Sequence, residues 1–134
     1  MGAWGAGTFE NDDALDWIAE LEQSGGLSAV RTALGQAADP ADEYLEAPTC
    51  NAALAAAEVV AALHGAPAPD LPEEVERWVQ AQQLGVADNL LRVAREVVER
   101  VGRQGELREL WEEAEPDDFN AWQRSLADLR SRLS

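Results

Sequence analysis

Four acidic side chains crowd the start of the chain, Glu10, Asp12, Asp13 and Asp16, inside the stretch MGAWGAGTFENDDALDW. Carboxylates of this kind are the hard oxygen ligands of Mg²⁺ and Ca²⁺. Their spacing lacks the glycine and the final glutamate of a calcium loop, and consecutive acids at a helix start more often serve as capping and dipole partners. No metal or other cofactor is therefore assigned. The single cysteine, Cys50, and the single histidine, His64, are the other groups with reactive potential. One cysteine forms no intramolecular disulfide, one histidine makes no paired metal motif, and nothing beside Cys50 in the sequence would activate its thiol. Glu73–Glu74 and the run EEAEPDD read as solvated surface, and no catalytic residue is assigned. The glycines of the opening stretch do not make a phosphate loop, since no strand precedes them and acids follow where a phosphate would approach.

Glu58 is the sharpest single residue. It stands in NAALAAAEVVAALHG, apolar almost all round, where a carboxylate is costly unless paired or hydrogen-bonded. Three readings are open. Glu58 lies on a narrow exposed stripe, or it accepts hydrogen bonds from backbone N–H groups of the glycine-rich opening, or it belongs to a functional pocket. The candidate binding residues are accordingly Trp4, Gly5, Gly7, Phe9, Asn11, Asp12, Asp13, Asp16, Trp17 and Glu58.

Composition narrows the function classes. The 134 residues carry a formal charge of −16. All ten basic residues are arginine, which removes lysine Schiff bases and the phosphate-loop lysine at once. Residues 1–76 hold fifteen acids against Arg31 alone, whereas residues 77–134 hold eleven acids against nine arginines. Such a surface repels phosphate backbones and anionic lipid, so neither nucleic acid nor a membrane is an expected partner. The charge suits solubility or attraction to a basic protein. With no apolar run of membrane length and no signal-peptide pattern at the start, the expectation is a cytoplasmic protein.

The elements that must position these residues read as helices. Asn11 is a good N-cap, with Asp12 and Asp13 at the positive end of the helix dipole. Ala14, Trp17, Ile18 and Leu21 follow as one buried face, and Gly25–Gly26 ends the run. A second helix is expected from Leu27 to Ala38, then turn or short helix through DPADEYLEAPT, then a buried helix from Asn51 to Gly65. Another begins near Pro72. Val86 to Arg103 is the clearest amphipathic stretch, with Arg92–Glu96, Arg95–Glu99, Glu96–Arg100 and Glu99–Arg103 at i, i+4 spacing on its solvated side. Leu107 to Ala114 and a last helix after Pro116 complete the pattern. No strand and no internal repeat is evident. The expected fold is all-α, a single domain over residues 1–134 with six or seven helices.

The aromatic rings gather toward the two ends, and the simplest inference is that the ends meet: Trp4, Phe9 and Trp17 against Trp111, Phe119 and Trp122. Gly5 and Gly7 would then permit close approach. The start W-G-x-G-x-F-E-N-D-D-A-x-D-W, Trp4 through Trp17, resembles the opening of a bacterial family known as domain of unknown function 4259. ALAAAEVVAAL around Glu58 and the stretch from Leu107 to Trp122 resemble its later blocks. The resemblance implies a small bacterial intracellular protein and brings no established activity, cofactor or catalytic residue.

Two function classes stay open. One is a non-enzymatic acidic domain, regulatory or immunity-like, that binds a basic protein partner. The other is a carboxylate-based enzyme, with or without a divalent cation, built from the opening acids and Glu58. A flat, acidic and unpocketed surface favours the first, and a concave site where Glu58 meets Asp12, Asp13 or Asp16 favours the second.

Overall fold

The computed structural model of the chain describes residues 7–23, 27–39, 41, 44–82 and 85–134. Among them run seven α-helices and no strand: α1 Asp12–Gln23, α2 Ser28–Ala38, α3 Ala47–Leu63, α4 Glu73–Ala81, α5 Asp88–Arg103, α6 Glu106–Glu112 and α7 Pro116–Arg132. The fold is all-α, as the periodicity predicts. Among the described residues, no helix is long and apolar enough to cross a membrane.

Helix α3 is central because almost nothing along it resists burial. Twelve of its seventeen residues are buried, and it touches each of the other six helices. Its alanines, Ala53, Ala55, Ala56, Ala57 and Ala61 among them, have no exposed surface. Side chains that small let neighbouring backbones come close on every side. The remaining helices wrap it with one apolar stripe each: Ala14, Trp17, Ile18 and Leu21 from α1, Val30, Ala33, Leu34 and Ala37 from α2, and Leu90, Leu91, Ala94, Val97, Val98 and Val101 from α5.

The start of α3 departs from expectation. The helix begins at Ala47, four residues before Asn51, and absorbs part of the segment read as turn. Pro48 sits in its first turn, where a missing N–H costs nothing. The cap comes from elsewhere in the chain: Glu106 accepts the Ala47 N–H through Oε1 at 2.7 Å. The same residue donates its own N–H to the Leu45 carbonyl at 2.8 Å. Gly105, at φ 110°, makes this crossing possible, because a Cβ there would meet the Leu45 oxygen at 3.1 Å. At its other end α3 closes in a Schellman turn, with Gly65 at φ 91° and the Ala66 N–H on the Ala61 carbonyl.

On α5 the pairs Arg92–Glu96 and Glu99–Arg103 form as expected, at 3.1 and 3.3 Å. Arg95 turns instead to the Leu133 carbonyl at 2.7 Å. Arg100 reaches the carbonyls of Ala37 and Asp39 at 2.8 and 3.0 Å, satisfying groups the end of α2 leaves open. Tertiary acceptors thus draw two of the four arginines away from simple ladder geometry.

The expected meeting of aromatic ends is corrected. Among the described residues α1 packs on α2, α3 and α4 and has no contact with α6 or α7, so Trp17 does not join Trp111 and Trp122. Those two stack on each other with centroids 6.1 Å apart, and Phe119 tilts against Trp122 beneath Arg108. Interposed α3 keeps the two aromatic groups apart. Phe9 is half-buried against the core. Trp4 and Gly5 lie outside the described residues.

Candidate functional site

The opening segment reaches α1 through a short turn, with the Glu10 N–H on the Gly7 carbonyl at 3.1 Å. Asn11 caps the helix as its sequence position predicts. Its Oδ1 accepts the Ala14 N–H at 2.8 Å, while its Nδ2 donates to the Thr8 carbonyl at 3.0 Å. A Cβ at Gly7 would meet first the side chain of Glu10, among the described residues. Asp12 is exposed on the first turn of α1.

Asn51 and Glu58 stand two helical turns apart on one side of α3, the first holding the start of α1 and the second the turn before it. Asn51 donates through Nδ2 to Asp13 Oδ2 at 3.0 Å. Glu58 Oε2 accepts the Thr8 hydroxyl at 3.3 Å. Glu58 is 4% exposed, which overturns the exposed-stripe reading. Among the described residues, its contact with the opening runs through the Thr8 hydroxyl. Its main partner is Arg132 on α7, which binds it in bidentate fashion: Nη1 to Oε1 at 2.8 Å and Nη2 to Oε2 at 3.1 Å. Arg132 also donates to the Ala66 carbonyl at 3.2 Å and to Asp128 at 2.9 Å. The hydrogen bonds to Glu58 push the guanidinium pKa above its ordinary value, against the opposing pull of burial. Sequence reasoning missed Arg132. Its only local signal is the i, i+4 spacing to Asp128, which says nothing of α3.

A second feature is concave. Helices α1, α2 and α3 splay to leave an open cleft of about 690 Å³. Asp13, Asp16, Trp17 and Glu20 form its α1 wall, at spacing that puts all four on one helical face. The opposite sides carry short side chains and hydroxyls, Ala33 and Thr32 from α2 and Thr49 and Ala52 from α3. The room exists because alanine and threonine stand where larger residues would fill it. Asp13, Asp16 and Trp17 are therefore brought together, whereas Asp12 is outside the cleft lining and Glu58 is committed to Arg132 and Thr8. The acidic surface is therefore not flat and unpocketed, as the interaction reading expects, and Glu58 does not meet the opening acids, as the enzyme reading expects. Among the described residues no three His, Cys, Asp or Glu side chains are grouped as metal ligands would be.

Cys50 and His64 are separated by the length of α3, about 21 Å at helical rise, and make no dyad. Cys50 is fully buried, and burial pushes its thiol pKa up to about 11. His64 caps the far end of α3 and lies 3.3 Å from the Ser134 carbonyl.

A family model described as a domain of unknown function, DUF4259, matches residues 2–125. No curated protein and no solved structure matches the chain.

Proposed function

We propose that this chain, which belongs to the DUF4259 family, is a non-catalytic interaction domain that receives a basic segment of a protein partner in the cleft between α1, α2 and α3. The role is regulatory or immunity-like, in the cytoplasm of a bacterium. One observation carries this reading. Asp16 and Glu20 stand exposed along the α1 wall, and among the described residues no arginine lies within salt-bridge distance of Asp13, Asp16 or Glu20. The wall therefore keeps its negative field inside a concavity, where field lines focus and steer a cationic partner. Threonine hydroxyls on the facing walls offer donors and acceptors to a partner backbone. A phosphate-bearing ligand would be repelled.

Complementary charge acts mostly on the rate of encounter. A partner captured from the native host at low salt and then purified should associate more slowly by about ten-fold or more as salt is raised toward 0.5 M. The Asp16→Asn/Glu20→Gln double variant should lose most of that salt dependence. Stopped-flow association measures both. A salt-insensitive on-rate, or unchanged association by the double variant, overturns the reading.

A further inference from the structure

The opening segment and the last turn of α7 come from opposite ends of the sequence, and α1 and α7 do not touch. Both nevertheless finish on the same carboxylate. Thr8 and Arg132 share Glu58 Oε2, at 3.3 and 3.1 Å. We propose that the last turn of α7 is a strap that holds the opening segment on α3 through Glu58, so that releasing the strap releases the segment.

Glu58 needs a partner for its charge. Surrounded by alanine and valine on a buried helix, its carboxylate is tolerable only while the guanidinium answers it. Without Arg132 the carboxylate must reach water. Against it stands the half-buried turn at Thr8, and that turn is the side that yields. The strap itself is well fastened. Leu133 is fully buried and its carbonyl accepts from Arg95, while Arg132 also grips the Ala66 carbonyl and Asp128. The coupling therefore passes through side chains rather than through helix packing. It operates whatever the cleft holds, although α1 starts at the strapped segment and its acidic wall follows.

Amide hydrogen exchange tests this with a double-mutant cycle. Thr8→Val removes the hydroxyl at constant shape, and Arg132→Leu removes the strap. Each should speed exchange across residues 8–16 by about ten-fold or more while α5 stays protected. Combining the two should add little to Arg132→Leu alone, because both cut one path. Should Arg132→Leu not fold, Arg132→Lys takes its place, keeping the charge without the bidentate fork. Additive effects, an even rise that includes α5, or no rise at residues 8–16 would each overturn the proposal.

Discussion

Glu58 shows how a single buried charge is settled by its partners. The pair with Arg132 is bidentate and almost closed to solvent, with side-chain exposures of 5% and 16%. Removing one partner from such a pair costs more than the pair itself contributes, because the other charge is left buried. Glu58→Ala should therefore destabilise the protein by about 2–4 kcal/mol, with Arg132 and the Thr8 hydroxyl both losing their acceptor. Glu58→Gln keeps the shape and one acceptor oxygen and should cost roughly half as much. Denaturant melts beside the parent protein measure both; a neutral or stabilising Glu58→Ala would show that the pair contributes nothing to the fold. The carboxylate's importance is visible from the sequence, since an acid amid ALAAAEVVAAL needs an explanation. Arg132 is not, because its spacing to Glu58 follows from how α3 and α7 cross.

The helices differ in how much of their geometry is local. Helix α1 is written in its own residues: cap, acidic first turn and buried stripe all lie between Asn11 and Leu21. Helix α3 is not, since its first N–H is capped by Glu106, fifty-nine positions on. Two glycines separate the cases experimentally. Gly105 is held at φ 110° with the Leu45 backbone against it, so Gly105→Ala should cost about 1–3 kcal/mol. Gly35 lies inside α2, exposed and with nothing within 4 Å of a new Cβ. There the same substitution should stabilise by about 0.4–1 kcal/mol, through helix propensity and a less disordered unfolded chain. Thermal and denaturant melts of the two variants should move in opposite directions. A shift of the same sign in both would contradict the geometry.

Taken together, the composition gives the molecule an unusually sparse alkaline titration. With no lysine and with arginine charged throughout, the side chains that titrate between roughly pH 8 and 12 are Cys50 and Tyr44. Burial lifts the Cys50 thiol from 9.0 to about 11. The Tyr44 hydroxyl, which donates to Glu109 at 2.9 Å, is pushed from 10.0 to about 12, chiefly by that hydrogen bond. Both folded values lie above the unfolded ones, so the unfolded chain loses its protons first. Their stabilisation is complete below about pH 9 and is lost as pH rises through the folded values. Stability measured by denaturant melts should therefore fall between pH 9 and pH 12. The Cys50→Ala/Tyr44→Phe double variant should flatten that fall. An equally steep decline in the double variant would place its origin elsewhere.

The all-helical class, the approximate positions of the helices and the buried stripes of α1, α2, α5 and α7 are legible in the sequence, because apolar spacing is a local signal set by helical pitch. The Asn11 cap and the placing of acids at the start of α1 are legible for the same reason: donor and acceptor are neighbours in the chain. What no local pattern carries is which stripes face one another. Trp17 and Trp122 are both buried aromatic residues, yet α3 lies between their helices. The acidic cleft needs the splay of α1 from α2, and its vacancy comes from small residues on two other helices. Arg132 answers Glu58 only after α7 has crossed α3. Such contacts depend on crossing geometry between distant segments, and that is decided by the packing of the whole core rather than by any one stretch of residues.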